Sequence, residues 1–129
     1  MYSVADFVIR VKNASDARRR EVVMPYSKIT KAIGKLLVKE GFLADIRETE
    51  FDGKKTITAG IRYVRRKPVV EAVEIVSKPS LRFHINHKEL QTEQRKKTLT
   101  LVVSTSQGLM TGKDALKKGL GGELLFKIG

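Results

Sequence analysis

The chain has 129 residues, 41% hydrophobic and 31% charged, which is enough apolar material for a modest core and too much for a disordered tail. Its 26 lysines and arginines against 14 acids leave a formal net charge of +12, so the natural partner is a polyanion: RNA, DNA or an anionic membrane. No apolar run approaches the roughly 20 residues of a spanning helix, and the lack of cysteine excludes disulfides and thiolate metal sites.

Met1 to Lys12 carries Asp6 early and lacks the positive-then-apolar layout of a signal peptide, which fits a cytoplasmic location. Ser3 and Asp6 form an S-x-x-D helix start, and Val4, Phe7, Val8 and Val11 then repeat at helical spacing on one side. Arg10, Lys12 and Asn13 fall largely off that side, and the helix should fade by Ser15 or Asp16. Arg18, Arg19 and Arg20 lead into a short strand, Glu21 to Met24. Pro25 and Ser27 open a second helix with an apolar stripe of Ile29, Ile33, Leu36 and Leu37, with Lys28 and Lys31 elsewhere on the cylinder and Gly41 as its stop. Asp52-Gly53 is a two-residue hairpin signal joining strands near 44–50 and 55–64.

Arg65-Arg66-Lys67-Pro68 breaks the pattern and marks a boundary between residues 1–66, an αβαββ subdomain, and residues 67–129. The second part reads mostly as strand: Ala72–Ser77, Leu81–Asn86, Thr98–Ser104 and Glu123–Ile128. A short helical turn is expected at His87–Leu90 and one clear helix at Gly112–Lys118. The fold class is therefore α+β, as two small α/β subdomains, the second mostly β with one helix.

The most informative stretch follows the strand of Leu99, Leu101 and Val103. Ser104, Thr105 and Ser106 place three hydroxyls in a row, then Gln107, Gly108, Leu109 and Met110, and Thr111 caps a helix with Asp114 three residues on. Hydroxyls both donate and accept, so they can read a ribose 2′-hydroxyl or a base edge. Gly108 lets backbone approach, and Leu109 and Met110 offer apolar surface to an unstacked base. On the strand Leu81–Asn86 the apolar Leu81, Phe83 and Ile85 point one way, which turns Arg82, His84 and Asn86 to the other as a polar platform for RNA. The clusters Arg18–Arg20, Arg65–Lys67 and Arg95–Lys97, with Lys117 and Lys118, suit a phosphate backbone, which positions RNA without reading it.

Rival chemistries fail on their own requirements. Gly108 to Lys113 reads G-x-x-x-G-K, one residue short of a phosphate-binding loop, and Asp114 stands where a Ser or Thr would bind magnesium. Serines, histidines and acids exist for a hydrolase triad, but the G-x-S-x-G elbow is absent. His84 and His87 lack a third convincing metal ligand. The residues thus imply no catalytic group, no metal, no cofactor and no small-molecule substrate. They leave a specific RNA binder or a general basic nucleic-acid-binding protein.

Several motifs carry a family resemblance over nearly the whole chain. They are Ala5-Asp6 with Arg10-Val11-Lys12-Asn13; Met24-Pro25-Tyr26-Ser27-Lys28 with Ile33 and Lys39-Glu40-Gly41-Phe42; and Val76-Ser77-Lys78-Pro79 with Leu81-Arg82. The longest is Val102-Val103-Ser104-Thr105-Ser106, Gly108, Met110-Thr111, Ala115 and Gly119-Leu120-Gly121-Gly122-Glu123. The chain resembles the eighth protein of the small ribosomal subunit in its bacterial form. The resemblance implies two α/β subdomains, a structural ribosomal role and direct binding to the central domain of small-subunit ribosomal RNA, in helping assemble the platform. It implies contact with the fifth and twelfth proteins of that subunit. It carries RNA contact to Ser104, Thr105, Ser106 and Gly108, with Glu123 fixing that loop or accepting a base amino group. The wider set of expected RNA-contacting residues adds Met110, Thr111, Arg82, His84, Lys78, Lys28, Lys31, Arg10, Lys12 and Asn13. Two departures stand out: Ser80 where the family usually has glycine, and His84 where it usually has tyrosine.

Overall fold

The computed structural model describes residues 2–96 and 99–129, which fall into two compact units, Met1–Glu71 and Ala72–Gly129. The α+β class is as expected.

In the first unit, helix α1 (Ser3–Asp16) buries Val4, Phe7, Val8, Val11, Ala14 and Ser15. Its start differs from the S-x-x-D expectation: Tyr2 is the N-cap residue, with no side-chain cap, and Ser3 is already helical. Asp6 is drawn instead to Arg10 one turn on, at 3.0 Å. Strand β1 (Glu21–Pro25) follows, then helix α2 (Lys28–Lys39), whose N-cap Ser27 accepts from the Thr30 N–H at 3.1 Å. Ile29, expected on the buried stripe, is 38% exposed, and Thr30 is buried in its place because its hydroxyl is satisfied by Ser27 at 2.6 Å. Strands β2 (Leu43–Phe51) and β3 (Lys54–Ile61) form the hairpin signalled by Asp52-Gly53, both of which have the positive φ this turn requires. The sheet is antiparallel in the order β1-β3-β2, and both helices pack on it. Gly34 permits the close approach: a Cβ there would stand 2.5 Å from Ile46 Cδ1.

The strand expected over 55–64 breaks after Ile61, and a separate ribbon of β4 (Tyr63–Val64) and β5 (Lys67–Pro68) closes the unit. The two short strands pair with each other and the Val69 N–H bonds Arg62 O, so the chain changes units at Glu71/Ala72 and not at Arg66/Lys67.

The second unit is a sheet in the order β6-β10-β8-β9, comprising β6 (Val73–Ile75), β8 (Thr100–Thr105), β9 (Gly108–Thr111) and β10 (Gly122–Ile128). The two-residue β7 (His84–Ile85) pairs the start of β10. Helix α3 (His87–Arg95) and helix α4 (Gly112–Lys117) contribute Leu90 and Ala115 to a core with Ile85, Leu101, Val103, Met110 and Leu124.

Four expectations change here. Ala72–Ser77 contracts to β6. Leu81–Asn86 contracts to β7, with Leu81 74% and Phe83 44% exposed, since Lys78 and Leu81 bond each other across a tight turn and take that segment off the ladder. The His87–Leu90 turn grows to the nine-residue α3, since Asn86 and Glu89 form a complete capping box. The segment 108–111, expected as loop, is strand β9. Lys97 of the third basic cluster and Thr98 of the expected strand lie outside the described residues.

Candidate nucleic-acid interface

The C-terminal sheet gathers polar groups at one end. Glu123 of β10 lies opposite Ser104 of β8 on one side and His84 of β7 on the other, and Ser104 lies opposite Leu109 of β9. Residues opposite one another in antiparallel strands project to the same face. His84, Glu123, Ser104 and Leu109 therefore form a row on the face away from Ile85, Leu124, Val103 and Met110, which pack with α3 and α4. Two glycines make this row possible. A Cβ on Gly122 would stand 2.1 Å from Ser104 O, and one on Gly121 would stand 2.5 Å from Ile85 O, so only bare backbone fits between the flanking strands.

The β8–β9 hairpin turns at Ser106-Gln107. Thr105 shapes it: its hydroxyl donates to Gly108 O at 2.8 Å and accepts from the Gln107 N–H at 3.1 Å. Gly108 has φ +109°, a conformation that excludes most side chains. Among the described residues, the Ser104 and Ser106 hydroxyls make no hydrogen bond, and Ser106 is exposed. Of the expected hydroxyl run, then, Thr105 is internal to the turn while its two neighbours remain available. Met110 is buried in the core, and Thr111 accepts from the Asp114 N–H at 3.2 Å as the cap of α4, so neither opens toward a ligand.

Glu123 is anchored from a segment distant in sequence. The buried Ser77 hydroxyl donates to its carboxylate, and Arg82 Nη1 approaches the same oxygen at 3.3 Å. Ser77 Oγ also accepts from the Phe83 N–H at 3.2 Å, which ties the segment 77–83 to the row. Sequence reasoning placed Ser77 in a motif but missed this role, because the partners are 46 residues apart and no local spacing signals them. Arg82 and His84 thus reach the row, and Lys78 is exposed at the turn beside it. Ser80 is not among the residues with positive φ, so serine sits in that turn without strain.

The remaining candidates lie in the first unit. Lys12 pairs with Asp16 at 2.6 Å and Lys31 with Glu48 at 2.8 Å. The hydrogen bond between Lys31 and Glu48, reinforced by their charges, raises the lysine pKa and lowers that of the carboxylate. Arg10, besides Asp6, donates to Val23 O at 3.2 Å and lines a shallow groove of about 600 Å³ with Asn13 and Arg19. Lys28 and Asn13 are exposed. Among the described residues, no group of three or more His, Asp or Glu could hold a metal, and no helix is long and apolar enough to cross a membrane.

Comparison with known proteins gives a consistent result. Residues 3–128 match the family described as Ribosomal protein S8. The small ribosomal subunit protein uS8 of Cupriavidus metallidurans is 38% identical over 125 residues, covering 97% of this chain and 95% of that protein. The uS8 protein of Nostoc punctiforme is 38% identical over 128 residues, 98% of this chain and 96% of its own, and that of Synechococcus elongatus is 36% identical over 127 residues, 97% and 95%.

Proposed function

Since the chain belongs to the ribosomal protein S8 family, it is a structural, non-enzymatic constituent of the small ribosomal subunit in the cytoplasm, and we propose that it binds the central domain of small-subunit ribosomal RNA directly and helps assemble the platform. The observation that supports this is the row of His84, Glu123 and Ser104 beside the exposed Ser106 turn. It presents two unengaged hydroxyls and an anchored carboxylate on a rigid sheet end. Such a set can accept hydrogen bonds from base amino groups and meet ribose hydroxyls, and the family resemblance implies an irregular helix with displaced bases as the target. Lys78 and Arg82 add charge for the phosphates nearby, and Lys28 and Asn13 are open to further backbone contact. Arg10, Lys12 and Lys31 already face carboxylates and contribute less. The fifth and twelfth proteins of the subunit are the neighbours proposed for it.

The test is a gel shift of the full chain on central-domain RNA with random duplex as competitor. A specific reader retains its complex under that competition, and Ser106→Ala weakens it by about 1–2 kcal/mol, the worth of one polar contact. Equal displacement by random duplex would instead identify a general basic nucleic-acid binder.

A further inference from the structure

We propose that the free edge of β2 is a strand-addition site, which takes an extended, basic segment of another small-subunit ribosomal protein into the N-terminal sheet. This rests on the chain's membership of the subunit and on none of the RNA contacts proposed above. In the order β1-β3-β2 both outer strands have an unpaired side, and the register shows which backbone groups face it. The Ile61 N–H donates to Arg20 O at 2.9 Å and the Tyr26 N–H to Lys55 O at 3.2 Å, so the odd-numbered residues of β3 bond toward β1. Alternation then turns Lys54, Thr56, Thr58 and Gly60 toward β2, where they lie opposite Phe51, Thr49, Arg47 and Asp45. The residues between these on β2, Ile46, Glu48 and Glu50, direct both N–H and C=O away from the sheet. They make a ladder of alternating donors and acceptors, the pattern that another extended chain matches.

The two edges of this sheet are finished differently. On β1 the outward residues are Glu21, Val23 and Pro25. Pro25 has no N–H, and Arg10 Nη1 takes Val23 O at 3.2 Å, so that edge is closed by proline and by an arginine from α1. From Asp45 to Phe51, β2 has neither proline nor lysine, and its register runs unbroken. Its charge is also of the other sign. Asp45, Glu48, Glu50 and Asp52 stand against Arg47 alone, a net of −3 over residues 45–52 of a chain whose total is +12. Arg47 is shared between Glu21 and Asp45, and Lys31 and Lys55 reach Glu48. Glu50 and Asp52 are exposed and, among the described residues, have no cationic partner. This charge selects the occupant. A phosphate backbone is repelled and does not match the alternating ladder. A second copy of β2 would set acid against acid. A strand bearing lysine or arginine places cations opposite Glu48 and Glu50 while its own backbone pairs the ladder.

The test compares amide hydrogen exchange, read at single residues by mass spectrometry, in three states: the free chain, the chain on central-domain ribosomal RNA alone, and the assembled small subunit. The N–H groups of Ile46, Glu48 and Glu50 should exchange roughly tenfold or more slowly in the subunit than in the other two states. Those of Arg47 and Thr49, bonded to β3, should be slow throughout and report an intact strand. Equal exchange in all three states would overturn the proposal, as would protection already complete on RNA alone. Two variants separate charge from backbone. In subunit reconstitution against an equal amount of wild type, Glu50→Gln, which removes charge alone, should be incorporated roughly two- to threefold less. Glu50→Pro, which also removes an outward donor, should be incorporated roughly five- to tenfold less. Both should hold wild-type affinity for the RNA. Incorporation of both variants at the wild-type level would overturn the site, and an effect of Glu50→Pro without one of Glu50→Gln would overturn its basic occupant. Faster exchange at Arg47 and Thr49 in Glu50→Pro marks a damaged strand, and Glu50→Gln then decides. Failure of the wild type to bind the RNA strikes the function proposed above and leaves the comparison of free chain with subunit intact.

Discussion

Ser77 shows how much one buried hydroxyl can hold. It receives the Phe83 N–H and donates to Glu123, so a single atom joins a turn to the polar row. Ser77→Ala leaves both groups without that partner in a closed environment, and we expect a loss of about 1–3 kcal/mol in urea unfolding with little change in m. RNA affinity should fall with it, because Glu123 loses its anchor. An unchanged midpoint would show that water replaces the hydroxyl at no cost. At this scale the sequence was readable in part. The Ser-Thr-Ser run announced polar groups next to a strand end, but only folded geometry separates Thr105, engaged within the turn, from Ser104 and Ser106. Nothing in the spacing of Ser77 or Glu123 announces their bond.

Among the elements, those with strong local chemistry were the readable ones. Helix α2 has its Ser27 cap and apolar stripe, the β2–β3 hairpin has Asp52-Gly53, and α4 has Thr111. The misses have physical causes. Leu81 and Phe83 alternate as a strand should, yet a tight turn at Lys78–Leu81 withdraws the segment from the ladder and leaves both exposed. Strand β9 is four residues long and runs straight into a helix, so its period never establishes itself. Helix α3 is polar except for Leu90, and its real signal is the reciprocal cap of Asn86 and Glu89. Asn86→Ala should therefore cost about 1 kcal/mol, measured by thermal melting; a neutral result would mean that Leu90 burial alone holds the helix.

For the whole molecule, charge governs both partner and stability. The excess of +12 disfavours the free chain through self-repulsion, and a polyanion relieves it. Ion pairs offset part of that repulsion and set an acid limit. Hydrogen bonds from Lys96 and then Lys127 lower the Glu93 pKa, and Lys31 lowers that of Glu48, in each case from an ordinary value near 4.5. A carboxylate depressed in the folded state stabilises the fold above its unfolded pKa, and the gain is lost as pH falls through the folded value. Melting temperature should accordingly hold from pH 7 to about 5 and drop below about 4, where protonation also adds to the positive excess. In Glu93→Gln part of that drop should disappear, and an identical acid profile would exclude Glu93 as a contributor.

The bare backbone at Gly121-Gly122 also dictates how this surface can be rewritten over generations. Exchanging His84, Ser104 or Leu109 alters the spelling of the row one letter at a time and leaves the frame intact. Inserting or deleting a residue just before Glu123 is a different kind of event: strand alternation would turn the carboxylate toward Leu90 and Ala115 and swing Leu124 out to solvent. Point substitutions tune the chemistry of this face, whereas a change of length there inverts it.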